Sequence, residues 1–279
     1  MNNIPFISVI TINLNNYWGL EKTINSVISQ SCKDFEYIVI DGCSTDGSGD
    51  LLRRYKKDIT IGIIEPDTGI YNAMNKGVLH ARGEYCLFLN SGDTLADSKV
   101  MENLLKLDLK ADVITGDTIL IPGSKTWKAP HEVSLLTFMK GSLSHQSSLI
   151  RRSLLMRYPY DETNKIVSDW KFCIETLIMH GYSYAAVDMT ISLYDKQGIS
   201  SNPSFFAQAD AEKRKSLSEL IPERILCDYR SLIEGDTPYM KFMIRISRNK
   251  RYAQLVYSVL YFITKMYCSV FHKQLLKDL

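Results

Sequence analysis

Among the 279 residues there is no CxxC pair, and no GxGxxG segment follows a strand-like apolar run. The six cysteines, Cys32, Cys43, Cys86, Cys173, Cys227 and Cys268, stand far apart without metal-ligand spacing. Free thiols in a reducing cytoplasm are the expectation. The missing GxGxxG argues against a dehydrogenase built on a dinucleotide fold. A surplus of one charge is lacking as well: 33 basic residues face 31 acidic ones, a net +2. No basic helix interleaved with aromatics appears before the C-terminus, so nothing calls for a nucleic-acid partner. Met1 to Pro5 lead straight into a strand-like segment, and no signal peptide is expected. Internal repeats and low-complexity tracts are absent too.

What is present is a chain that is 45% hydrophobic, enough for one large domain with an appendage. Ile7-Ser8-Val9-Ile10-Thr11-Ile12 and Tyr37-Ile38-Val39-Ile40 read as short strands buried on both faces, and Leu20, Ile24, Val27 and Ile28 between them fall at helical spacing. The pattern predicts strands near 6–14, 36–41, 60–65 and 85–89, with helices near 20–30, 47–56 and 70–81. Such alternation predicts an α/β fold with a mostly parallel sheet and right-handed crossovers. Beyond Asp93 a helix near 98–108 and a strand near 112–117 lead into an extended stretch ending about Trp127, which suits an antiparallel excursion over one side of a pocket. A helix from about Asp169 to His180, a strand from Tyr184 to Leu193 and a Gly-, Ser- and Asn-rich loop from Tyr194 to Pro203 follow, the loop reading as a mobile lid.

After Pro203 the chain turns helical. Lys241, Arg245, Arg248, Lys250 and Arg251 precede an apolar stripe of Leu255, Val259, Phe262, Ile263, Met266 and Val270, with Gln254, Ser258, Tyr261, Lys265 and His272 on the other side. The pattern fits a helix lying on an anionic membrane or one docked on the catalytic domain. Lys265 and several hydroxyls interrupt the window from Tyr252 to Phe271, which disfavours a spanning helix.

Three constellations carry chemistry. Asp41-Gly42-Cys43-Ser44-Thr45-Asp46-Gly47-Ser48 directly follows the second strand, where a carboxylate can accept hydrogen bonds from a base or ribose. Equally, Asp41 and Asp46 read as turn and cap residues. Asn90-Ser91-Gly92-Asp93 ends the strand near 85–89. A divalent cation bridging a diphosphate needs only one or two protein carboxylates, and Asp93 is placed to be one. It also reads as a turn aspartate. Ser168-Asp169-Trp170 opens an amphipathic helix, where an acid is favoured by the helix dipole alone.

Taken in order, the strand Ser8 to Asn15, the Asp41 to Gly47 segment, Ala81-Arg82-Gly83-Glu84-Tyr85 and Asn90-Ser91-Gly92-Asp93 resemble the family 2 inverting glycosyltransferases of the nucleotide-diphospho-sugar (GT-A) fold. The run from Glu65 to Gly77 is similar to bacterial exopolysaccharide and O-antigen transferases of the colanic-acid type. The similarity covers about residues 5–202, which sets the transferase domain at 5–203 and leaves 204–279 as a helical extension.

The resemblance implies a GT-A sheet and a hexosyl or N-acetylhexosaminyl transfer from a UDP-sugar to a sugar acceptor on undecaprenyl diphosphate. The setting is surface polysaccharide synthesis at the cytoplasmic face of the inner membrane. It implies that Asp41 contacts the uracil, that Asn15, Asp67, Asn75 and Lys76 serve the nucleotide-sugar, and that Asp93 holds Mn2+ or Mg2+ through the donor diphosphate. Asn90 and Gly92 stand where acids are frequent, leaving a single carboxylate in that motif. Asp169 matches the base-bearing position, while His145, Gln146 and Trp170 fall in the acceptor half. A core histidine is the other reading of His145.

Two other classes compete. A nucleotidyltransferase would carry a glycine-rich, basic loop after the first strand, whereas this chain has Asn13-Leu14-Asn15-Asn16-Tyr17-Trp18-Gly19. A catalytically silent, nucleotide-sugar-binding scaffold of a polysaccharide assembly complex is the non-enzymatic alternative, motivated by the thinned acidic motif.

Overall fold

The structure is a computed structural model that describes residues 4–108, 110–123, 125–196, 198, 202–234, 241–242, 245–246 and 250–271, with side chains in the last helix described for 254–263, 265 and 266. Gln197, Ile199 to Ser201 of the expected lid, Arg248 and His272 lie outside the described residues, as do the side chains of Lys250, Arg251, Cys268 and Val270. Contacts divide the chain into two compact units, Met1–Leu220 and Ile221–Leu279.

In the first unit β1 (Ile7–Asn13), β2 (Glu36–Asp41) and β4 (Tyr85–Phe88) are buried at every residue, which is why each is an almost unbroken apolar run. β3 (Ile61–Ile64) sits at the end of the sheet path and alternates partly buried and exposed positions. These four strands run in the order β3-β2-β1-β4, all parallel. Three helices join them: α1 (Tyr17–Ile28), α2 (Ser48–Arg54) and α3 (Ile70–His80). α3 lies close on β1 because residue 77 is glycine; a Cβ there would come within 2.4 Å of Ile10 Cγ2.

Beyond β4 the sheet becomes mixed, continuing β4-β8-β6-β9-β5. β5 (Thr94–Leu95) and α4 (Val100–Leu105) precede β6 (Val113–Ile121), which pairs antiparallel with β7 (Lys125–Trp127) and with β8 (Ser148–Arg151). β9 (Tyr184–Asp195) runs parallel to β6 and antiparallel to β5. The expected antiparallel excursion is therefore the β6-β7-β8 region. β5 and β8 have two and four residues, too short to show a period in sequence. α5 (Leu135–Lys140), α6 (Arg152–Arg157) and α7 (Ser168–Cys173) complete this half, and α7 continues as a π-helical stretch over Ile174–Met179. α8 (Phe206–Leu220) closes the unit.

The Ala81–Tyr85 segment proves to be structural. Glu36 in β2 is buried, and burial pushes its carboxyl up. Bonds from Ser8 Oγ at 2.5 Å, Gly83 N at 3.0 Å and the Arg82 side chain and backbone bring it below the ordinary range. A Cβ at Gly83 would stand 2.4 Å from Ser8 Oγ, so only glycine lets the turn before β4 close on β1.

The second unit holds α9 (Glu223–Glu234) and the helix Lys250–Phe271. Leu255, Tyr257 and Phe262 on the latter are 62%, 71% and 66% exposed, and Val259, Leu260, Ile263 and Met266 are exposed as well, so apolar side chains reach beyond a single stripe. Among the described residues no helix is long and apolar enough to cross a membrane.

Candidate active site

A cleft of about 770 Å³ opens in the first unit, with Asp67, Asp93, Asp169 and Asp195 on its wall beside Lys22, His145 and Lys165. Its residues come from the C-terminal ends of β1 and β4, from the starts of α1 and α3, from the turn before β8 and from α7. This is the strand-end crevice that open α/β sheets use for ligands.

On one side, β1 ends at Asn13, which reaches Asp41 Oδ2 through Nδ2 at 2.7 Å. Asp67, in the loop after β3, accepts from Gly69 N at 2.9 Å, and its Oδ2 lies where a Cβ on Gly42 would come within 2.3 Å. Gly42 is therefore glycine because the Asp67 carboxylate lies against its backbone. Leu14 and Trp18, 56% and 78% exposed, give this side an apolar rim.

At the centre the turn Asn90–Asp93 is bolted to α1. Thr23 Oγ1 accepts from Gly92 N at 2.9 Å and lies 2.7 Å from the Asp93 carbonyl oxygen, while Asn16 Nδ2 donates to Ser91 O at 3.1 Å. Gly92 has φ 107°, a conformation that a side chain would strain, and this is why glycine stands where an acid is frequent. Asp93 is 4% exposed, and its Oδ1 accepts from Asp195 N at 2.8 Å. Burial, reinforced by the charge of Asp195, pushes its carboxyl up to about 6, against the opposing pull of that hydrogen bond, His145 and Lys22. Lys22 Nζ stands 3.7 Å from Asp195 Oδ2.

On the far side, Asp169 sits in the first turn of α7 with its side chain 18% exposed. Tyr71 OH of α3 lies 2.8 Å from Oδ1, and His145 Nδ1 lies 3.2 Å from Oδ2. Burial pushes the Asp169 carboxyl up, but the bond and charge of His145, the Tyr71 hydroxyl and the backbone of Trp170 hold it below the usual carboxylate range. His145 in turn is lowered by burial and raised more by Asp169 and Asp93, ending above its ordinary value.

Asp67, Asp93, His145 and Asp169 thus meet at one cleft, and the other expected site residues do not line it. Asp41 is fully buried, its carboxylate filled by Asn13 Nδ2, Ser44 N and Ser44 Oγ, so it shapes the cleft floor through Asn13 rather than facing a base. Asn15, at φ 50°, accepts from Thr45 N and links the two loops. Lys76 holds the preceding loop through Pro66 O at 2.6 Å and Glu65 at 2.8 Å. Asn75 binds Tyr160 through both its amide groups and donates to Glu162, bracing the segment before α7. Gln146 is 5% exposed and does not line the cleft. Trp170 is 3% exposed, and its indole N–H donates to Phe138 O and Gly141 O, a core anchor for α7. Asp41, Asn15, Lys76, Asn75 and Trp170 thus each hold a protein partner.

Lys22, Thr23, Tyr71 and Asp195 are the site residues the motifs missed. Thr23 alone carried a signal, being a hydroxyl on the core-facing side of α1 with Leu20, Ile24 and Val27.

Among the described residues no three His, Cys, Asp or Glu side chains gather as a metal-binding group. A divalent cation that also takes diphosphate oxygens and water asks for less. Asp93 with Asp195 beside it fits that demand, and the buried Asn90 Oδ1 of the same turn has no protein partner.

The family model for glycosyl transferase family 2 matches residues 8–181, more than half the chain. A PGL/p-HBAD biosynthesis glycosyltransferase of Mycobacterium bovis is 28% identical over 205 residues, covering 71% of this chain and 80% of its own. A putative teichuronic acid biosynthesis glycosyltransferase, TuaG, of Bacillus subtilis is 38% identical over 103 residues, 36% of this chain and 41% of its own. Staphylococcus aureus TarS, solved with UDP, superposes with a TM-score of 0.59 at 20% identity, over 68% of this chain and 60% of that one. The mannosyltransferase PcManGT of Pyrobaculum calidifontis, solved with GDP-Man and Mn2+, gives 0.56 at 14% identity over 94% and 81%. The mixed α/β sheet with flanking helices is the GT-A fold. With the match running from β1 through α7 and taking in Asp67, Asp93 and Asp169 of the cleft, the chain belongs to glycosyl transferase family 2 and is a glycosyltransferase.

Proposed function

We propose that the protein transfers a hexose or N-acetylhexosamine from a UDP-sugar to a sugar acceptor, with inversion at the anomeric carbon. The observation that carries this reading is the Asp169 carboxylate: held below the usual carboxylate range by His145 and Tyr71, partly open, and in the same cleft as Asp67 and Asp93. In a single in-line displacement the acceptor O–H proton passes to Asp169 as the oxygen bonds to C1. The C1–O bond to the diphosphate breaks, and its electron pair leaves with UDP. Base catalysis of this kind contributes about 10²–10⁴-fold.

Asp67 and the rim formed by Leu14 and Trp18 would take the nucleotide end. Asp93 and Asp195 would hold Mn2+ or Mg2+, which supplies positive charge against the departing diphosphate. Lys22, beside Asp195, adds charge of the same sign. TarS has been solved with UDP-GlcNAc, and this supports a UDP-sugar donor.

The names of the relatives, in PGL/p-HBAD and teichuronic acid biosynthesis, support a place in cell-surface glycan assembly. An undecaprenyl-diphosphate-linked acceptor at the cytoplasmic face of the inner membrane is the reading that joins this to the second unit. Its exposed apolar helix follows a run of lysines and arginines, a pattern that binds anionic lipid surfaces.

The experiment is turnover of a panel of UDP-sugars with a synthetic GlcNAc-diphosphate-lipid, reading product mass and anomeric coupling. A product of inverted configuration, lost in Asp169→Asn while UDP still binds, is expected. UDP binding without turnover on any acceptor would favour the silent scaffold instead.

A further inference from the structure

We infer that His145 is a positioning residue for the transfer, fixing the Asp169 carboxylate through Nδ1–H and tying it through Nε2 to Asn90 in the turn that carries Asp93. The inference rests on the reading of Asp169 as the base, and goes beyond it by naming what aims that base.

The carboxylate of Asp169 is gripped at both oxygens, by Tyr71 OH at 2.8 Å on Oδ1 and by His145 Nδ1 at 3.2 Å on Oδ2. The other ring nitrogen of His145 lies 3.2 Å from Asn90 Nδ2. One imidazole therefore spans the gap between the acceptor side and the donor side of the cleft. Its side chain is 20% exposed, so most of the ring is committed to these two contacts and to packing.

The turn bearing His145 is unusually well fixed. Thr118 Oγ1 donates to Ser144 Oγ or Ser147 Oγ, at 2.6 and 2.7 Å, and Ser147 Oγ lies 2.7 Å from Ser192 Oγ of β9. Ser148 Oγ donates to Ser144 O at 2.7 Å and meets Thr115 Oγ1 at 2.9 Å. Ser147, Ser148 and Ser192 are buried, as are Thr115 and Thr118, and all are paired. A satisfied buried hydroxyl network is rigid, and a half-satisfied one is costly. The serines of Ser144-His145-Gln146-Ser147-Ser148 therefore hold the backbone, and the histidine is the group they aim. The tautomer with its proton on Nδ1 meets both contacts, donating to Asp169 Oδ2 and accepting at Nε2 from Asn90 Nδ2.

The test uses the full-length protein, UDP-sugar hydrolysis and transfer to the synthetic GlcNAc-diphosphate-lipid, with His145→Ala, His145→Asn, His145→Gln and Asp169→Asn. A misaimed base costs up to about 100-fold, so His145→Ala should lower kcat about 10- to 100-fold with the KM values within about twofold. His145→Asn places an amide N–H near the Nδ1 position and should recover most of kcat. His145→Gln, whose amide falls near Nε2, should not. These differences are read at equal thermal stability, and the Asn and Gln variants keep the comparison meaningful where the Ala variant folds poorly. An unchanged kcat in His145→Ala, a raised acceptor KM alone, or a His145→Asn variant no better than Gln, each with Asp169→Asn inactive, overturns the positioning role and leaves the base intact. Full turnover in Asp169→Asn overturns the base itself.

Discussion

The Asp195 backbone N–H donates to Asp93 Oδ1 at 2.8 Å, joining the last residue of β9 to the turn after β4. The bond satisfies one oxygen of a carboxylate that is almost wholly buried, and the Asp195 side chain places a second negative charge beside it. In the metal-free protein this is an unfavourable arrangement, eased by Lys22.

The first prediction follows from that strain. Asp93 is raised to about 6 in the folded protein from an ordinary 3.8. A raised carboxyl stabilises the fold when protonated, fully so below about pH 4, and that contribution is lost as pH rises through about 6. Metal-free Asp93→Asn should therefore be more stable than the parent at pH 7.5, by an amount on the order of 1–3 kcal/mol. The gap should close near pH 4. Thermal melts in EDTA across this range check it, and Mn2+ with UDP should then raise the Tm of the parent but not of the variant.

Trp170→Ala should destabilise the protein by about 3–5 kcal/mol, since it empties a buried aromatic site and strands two carbonyls. Urea unfolding measures this. Trp170→Phe, which keeps one aromatic ring in the site but loses the N–H donor, should leave the acceptor KM close to the parent's.

Asn75→Ala should lower stability by about 1–3 kcal/mol through the lost bonds to Tyr160 and Glu162. It should reduce kcat, because it loosens the segment leading to α7, while UDP affinity measured by calorimetry stays unchanged.

Reversing two charges, Lys241→Glu with Arg245→Glu, should weaken binding to anionic vesicles more than tenfold, taking about 1 kcal/mol for each basic residue near the surface. Vesicle sedimentation at rising salt reads this, and neutral vesicles should show little difference.

The residues that could be read in advance share a physical property. β1, β2 and β4 announce themselves because both faces are covered and nearly every residue must be apolar. Asp93 and Asp169 stand at a strand end and a helix start, the places where this fold presents side chains. The direction in which a polar group turns was not legible in this way. Asn75 meets Tyr160 across 85 residues, and Asp41 meets Asn13 across 28, and no local pattern records such a partner. Asp41, Asn75, Lys76 and Trp170 sit in the expected segments and serve the scaffold. Gly92 shows the converse, since a missing acid in the motif reflects a backbone angle.

The segment after β9 is fastened at two places. Asp195 grips Asp93 at its start, and Glu212 of α8 accepts from Lys165 N at 3.1 Å and Ile166 N at 2.9 Å, just ahead of the proposed base. An insertion or deletion between residues 195 and 212 would therefore pull on the Asp93 turn and on the start of α7 together.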